Sequence, residues 1–224
     1  MTTDATAPAG ETLGTDGDLP TVLIDQIEFD IRAQLRPRLE GLTDEEYLFD
    51  PTPAGKAWTV HPRIPDEELA PNRLQGGSGA MAIDFEMPEP TPAPFTTIAW
   101  RLGHVIVGVL AVRSHSHFGG PPADYLSWDY AATAEEALAQ FDAEYERWIA
   151  GVRSWDADAL QIAVGEAEGP YAASSRATLV AHINRELIHH LAEIALLRDL
   201  WAHRELAPRS MPGAASQAVP GAEA

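Results

Sequence analysis

Between Ser174 and His203 the chain carries its last long helical pattern, and this stretch constrains the fold more than any other. Val180, Ile183, Leu187, Leu191 and Ile194 recur at three- and four-residue steps, which places them on one face of a 3.6-residue helix. His182, Glu186, His189, His190 and Glu193 occupy the adjoining arc of roughly 100°. A helix with such an apolar face must be covered by other elements, and the rest of the chain offers helices to do it. One helix is expected from about Thr21 to Gly41, on the spacing of Leu23, Ile24, Ile27, Ile31, Leu35 and Leu39, with Pro37 kinking or shortening it. Thr43 to Glu46 has capping-box spacing and opens a short helix before Pro51. A long helix begins near Thr96 or Thr97 and runs to about His117, carrying Ile98, Leu102, Val105, Val109 and Val112. Gly119-Gly120-Pro121-Pro122 ends it. Another opens at the capping box Thr133 to Glu136 and continues through Leu138, Phe141, Tyr145, Trp148 and Val152.

Four long amphipathic helices and little strand signal predict an all-α fold, an antiparallel four-helix bundle spanning residues 20–206. Residues 1–19 and 207–224 have almost nothing to bury and read as disordered tails. From Asp50 to Pro94 the chain is rich in Pro and Gly with no sustained period. It reads as a long irregular loop across one end of the bundle, anchored by Trp58.

Charge excludes several function classes. The 224 residues carry a formal net charge of -19 with only 15 Lys and Arg, too few to build a nucleic-acid surface or to dock on anionic lipid. Cysteine is absent, so no disulfide, thiolate nucleophile or cysteine-based metal site can form. Any sulfur chemistry needs an external thiol. The first residues lack the basic and apolar regions of a signal peptide, and no apolar run is long enough to span a bilayer. A cytoplasmic protein is the default expectation.

Glu186 and His190 are one helical turn apart, and a carboxylate and an imidazole so presented can grip one divalent cation. A third ligand must come from elsewhere, and His104, in the apolar helix from Thr97, is the conspicuous upstream histidine. The competing explanations are a solvated polar face for the α-helical cluster and a hydrogen-bonded core role for His104. His115 and His117 sit at a helix end, where the dipole or exposure accounts for them. Glu186-Leu-Ile-His189 matches one Glu-x-x-His unit of a di-iron bundle, but no second unit exists. Phosphate-binding loops, His-Glu-x-x-His and Gly-x-Ser-x-Gly are missing.

Two blocks, Thr96-Thr-Ile-Ala-Trp-Arg-Leu-Gly-His104 and Asn184-Arg-Glu-Leu-Ile-His-His-Leu-Ala-Glu-Ile-Ala-Leu-Leu-Arg-Asp-Leu200, resemble the DinB superfamily. The resemblance extends over roughly residues 20–203. It implies a four-helix bundle with a metal held by a histidine on the second helix and an H-x-x-x-H pair on the last. Here Glu186 replaces the first histidine of that pair, as in the mycothiol-dependent maleylpyruvate isomerases, which share the fold. The resemblance therefore implies His104, Glu186 and His190 as ligands of a divalent metal, zinc or nickel. It also implies a low-molecular-weight thiol such as mycothiol or bacillithiol, with a small-molecule substrate, in an S-transferase or isomerase. A non-catalytic bundle with a structural or vestigial site stays open beside it. No nucleic-acid or membrane partner is expected, and a homodimer is compatible with either reading. Arg101, one turn before His104, could orient an anionic substrate or serve as a surface or capping residue. The Asp50–Pro94 stretch is expected to form part of the pocket wall, with Trp58 near the metal end.

Overall fold

The structure, a computed structural model, describes residues 17–52 and 55–205. Residues 1–16 of the expected N-terminal tail, and all of the expected C-terminal one, lie outside the described residues. The first helix, α1 (Leu19–Glu28), starts two positions before Thr21 because Asp18 is its cap: the carboxylate accepts from the Thr21 amide at 3.1 Å. Pro20 sits in the first turn, where its missing N–H is no loss. The helix widens into a π-helical segment, Phe29–Leu35, and tightens to a 3-10 turn at Pro37–Leu39. Pro37 thus ends the α pattern as its ring geometry demands. Thr43 caps the short α2 (Asp44–Tyr47), its hydroxyl accepting from the Glu46 amide at 3.2 Å.

The expected irregular loop is in part a small sheet. Strands β1 (Val60–Pro62), β2 (Arg73–Gly76) and β3 (Met81–Glu86) pair antiparallel in the order β1-β3-β2. Val60 and Gly76 both face Ile83 across the ladder. Asn72 and Gly77, with φ of 69° and 110°, take the left-handed conformations that bracket β2. One buried carboxylate clips the strands together. Asp84 accepts from the Thr59 amide at 2.9 Å and from Arg73 at 2.8 Å, and it meets His61 Nε2 at 3.2 Å. Both carboxylate oxygens are thereby engaged, which makes burial of the charge tolerable. The sheet docks where Ile83 lies against Gly103, a position at which a Cβ would crowd it.

The second long helix is α3 (Ile98–His104), capped by Thr97, then a π-helical segment Val105–Ala111, then α4 (Val112–Phe118). Gly119 stops it at φ 69°, the usual left-handed terminus. All seven residues of the π segment are buried. α5 (Ala134–Arg153) is capped by Thr133, and α6 (Arg176–Ala202) by Ser175. Phe141 and Trp148 from α5, Ile106 and Leu110 from the π segment, Ile27 from α1, and Ile183, Leu187 and Leu191 from α6 share one core. Each such buried side chain contributes about 1.5–3 kcal/mol of transfer free energy. The fold is therefore helix-rich, with one small sheet within residues 60–86, and the all-α expectation is corrected to that extent. Among the described residues no helix is long and apolar enough to cross a membrane.

Candidate metal centre

His104 closes α3, and α6 passes beside it, so residues distant in sequence meet. The His104 and His190 rings lie with centroids 4.7 Å apart, nearly perpendicular. Neither ring is free to turn. His104 stacks on Trp100 at 5.4 Å, and its Nδ1 is 2.6 Å from the Tyr125 hydroxyl. Trp100 is braced in turn, donating its indole N–H to the Asp84 carbonyl on β3 at 2.9 Å and packing against Trp58 at 5.9 Å. The sheet therefore steers His104 through tryptophans.

Burial, and then the neighbouring His190 charge, pushes the His104 pKa down to about 4. At neutral pH the imidazole is uncharged and has one lone-pair nitrogen. In the tautomer whose Nδ1–H donates to the Tyr125 oxygen, that lone pair is on Nε2 and can meet a metal.

His190 is oriented by a carboxylate. Its Nδ1 lies 3.0 Å from Glu193 Oε2, an oxygen that also accepts from Arg101. Arg101 is thus neither a surface residue nor a cap nor a free substrate clamp; it pins the acid that fixes the His190 tautomer. The remaining nitrogen, Nε2, stands 3.6 Å from Glu186 Oε2. That is too long for a hydrogen bond. It is close to the spacing of about 3.4 Å between two atoms each bonded to one tetrahedral zinc at about 2.0–2.1 Å. The other Glu186 oxygen is 3.4 Å from His182 Nδ1. Two imidazoles with their second nitrogens engaged, plus a carboxylate, make a donor set suited to a divalent first-row ion.

A different trio is more compact. The ligand atoms of His189, His190 and Glu193 all lie within 4.8 Å of one another. His189 is 60% exposed at its side chain, and Glu193 is already paired with Arg101. His190 belongs to both groupings.

A cavity of about 420 Å³ opens beside His104 and Glu186, walled also by Gly108, Arg113, Tyr125 and His182. None of the described residues of Asp50–Pro94 lines it, and the expected wall is supplied instead by Asp124 and Tyr125, after α4. Trp58 reaches only as far as Trp100. Tyr125 is the contact that sequence reasoning missed, since a lone tyrosine in a Pro-rich connection carries no periodic signal. Gly108 permits its approach: any Cβ there would collide with the Tyr125 hydroxyl. Of the other histidines, His115 bonds the Gly120 carbonyl at 2.8 Å, while His117 is buried against Glu168 at 2.9 Å and not exposed. His61 is part of the Asp84 clip.

No curated protein and no solved structure matches the chain. Residues 30–194 match the DinB superfamily, a span that takes in α3 with His104 and α6 through Ile194. With most of its length inside that match, the chain belongs to the DinB superfamily.

Proposed function

We propose that this protein binds one divalent metal, zinc or nickel, through His104, Glu186 and His190, and that it is an S-transferase or isomerase using a low-molecular-weight thiol. The four long helical stretches are taken as an antiparallel four-helix bundle within a domain of residues 20–206. The observation that carries the reading is the pair of restrained imidazoles, 4.7 Å apart, with Glu186 Oε2 3.6 Å from the free nitrogen of His190. When bound, such an ion supplies Lewis acidity that favours a thiolate over a thiol.

The chain's residues do the rest. Tyr125 and Trp100 hold the His104 plane, while Glu193 and Arg101 hold His190. The adjacent cavity of about 420 Å³ gives a thiol and a small substrate room to approach. The absence of cysteine leaves the thiol to an external molecule of the mycothiol or bacillithiol type.

A second reading rests on the compact His189, His190 and Glu193 trio, which describes a surface ion site on a non-catalytic bundle. Elemental analysis of untagged protein dialysed against zinc or nickel separates the two. About one equivalent of metal, lost in His104→Ala and His190→Ala but kept in His189→Ala, supports the first. Loss in His189→Ala with retention in His104→Ala supports the second. No uptake by the parent protein refutes both. Turnover of an electrophile with mycothiol, bacillithiol or glutathione by the metal-loaded protein then tests the enzymatic part.

A further inference from the structure

A second and larger cavity, about 580 Å³, shares Arg113 and His182 with the one beside His104. Its walls come from α4, from the turn Glu166–Tyr171 and from the first half of α6. Its volume lies in the range of small-molecule sites. Val164, Ala167, Pro170 and Leu179 give it an apolar body, and Arg113 and Arg185 set two cations on it. In a chain of net charge -19, two guanidinium groups on one small cavity are a local exception.

Arg113 is incompletely used. Its Nη1 donates to the Gly108 carbonyl, and Nη2 has only a 3.5 Å contact with Glu168. Its Nε is buried with no partner. Nε is sealed from the cavity, so the donor that Arg113 has to offer a ligand is Nη2. Glu168 is tethered through its other oxygen, which meets His117 at 2.9 Å. A guanidinium N–H whose own partner is as far as 3.5 Å forms a stronger, charge-assisted bond to a carboxylate brought to it. Arg185, 71% exposed at its side chain, adds a second cation, 2.7 Å from His182 Nδ1 and 3.5 Å from Glu186. The nearby Glu168 charge opposes a doubly charged phosphate more than a single carboxylate.

We propose that this cavity is the binding site of the protein's organic ligand, and that the ligand is a small carboxylic acid with an apolar body. The carboxylate lies against Arg113 and Arg185, and the body rests on Val164, Ala167, Pro170 and Leu179. The proposal rests on the metal reading above in one respect: Arg113 and His182 belong to both cavities, so the carboxylate end of the ligand is the one beside the space next to His104.

Titration calorimetry on the full chain tests it, with 4-phenylbutyrate as the probe and neutral 4-phenylbutyramide as its control. The carboxylate should bind about tenfold or more tightly than the amide, because only it completes charge-assisted bonds to arginine. Arg113→Gln should erase that preference, and Arg185→Gln should reduce it by less. Ala167→Trp, on an exposed turn, should fill the space and abolish binding while the unfolding curve stays unchanged. Absence of carboxylate binding, equal affinity for the two probes, or an unchanged preference in Arg113→Gln overturns the proposal. If Arg113→Gln does not fold, the outcomes with Arg185→Gln and Ala167→Trp decide it: no effect from either overturns it. Repeating the titration in His190→Ala separates the two readings. Carboxylate preference without metal uptake leaves this site standing and removes the metal, whereas metal uptake without carboxylate preference does the reverse.

Discussion

Replacing His104 by Gln should flatten the acid limb of the stability curve of the metal-free protein. Burial holds the His104 pKa at about 4 in the folded chain, against an ordinary value of 6.5. A depressed histidine disfavours the charged form in the native state, so the unfolded chain binds the extra proton first. Stability from this group is complete above pH 6.5, falls as pH drops towards 4, and changes no further below that. The shift of about 2.5 units corresponds to roughly 3 kcal/mol, lost at no more than about 1.4 kcal/mol per pH unit. His61 works in the opposite direction. Its pKa is raised by the hydrogen bond to Asp84, so its contribution is present below pH 6.5 and lost as pH rises through the higher folded value. Comparing His104→Gln with the parent chain cancels the His61 term, since that side chain is unchanged in both. Urea unfolding followed by circular dichroism in EDTA, at steps from pH 7 to pH 4.5, measures the difference. The parent should lose about 2–3 kcal/mol more than the variant over that window. Parallel curves, differing by a constant offset, would refute the assignment of a buried neutral imidazole.

Two other changes follow from the packing. Arg198 donates to both oxygens of the buried Glu46 at 2.7 and 3.1 Å and to the Glu40 carbonyl at 2.8 Å, so Arg198→Met should cost about 3–5 kcal/mol in urea unfolding, with part recovered by adding Glu46→Gln. Gly108→Ala should displace the Tyr125 hydroxyl from His104, costing about 1–3 kcal/mol and weakening zinc uptake, while the double variant with Tyr125→Phe should regain only part of the stability, since the ring carbon also crowds the new methyl, and none of the zinc affinity.

The helices were readable because their signals are local. The caps at Thr43, Thr97, Thr133 and Ser175 lie where Ser and Thr precede apolar periods, and Glu186 and His190 share a turn by spacing alone. The sheet was not readable. Its strands are three, four and six residues long, and its stability is invested in Asp84, whose partners Thr59, His61 and Arg73 are 25, 23 and 11 positions away. No short-period pattern encodes such a clip. The site shows the same divide. His104 entered through the resemblance to a family, and the bracing by Tyr125 crosses 21 positions from an irregular connection.

The π-helical segment Val105–Ala111 changes which residues can act together. His104 and Arg113 are nine positions apart, about two and a half turns of an unbroken α-helix, and would look out in opposite directions. Yet both line one cavity. Bonds from i to i+5 spread more residues over each turn, so the segment retards the phase of everything that follows it. The helix thereby behaves as two rigid rods joined by a rotary offset, one carrying the imidazole and the other the guanidinium. Regularising Val105–Ala111 to α-helix at full length would turn the cation away from the histidine with every side chain's chemistry intact, whereas deleting one residue there would fuse the rods and still leave the two within about 80° of each other.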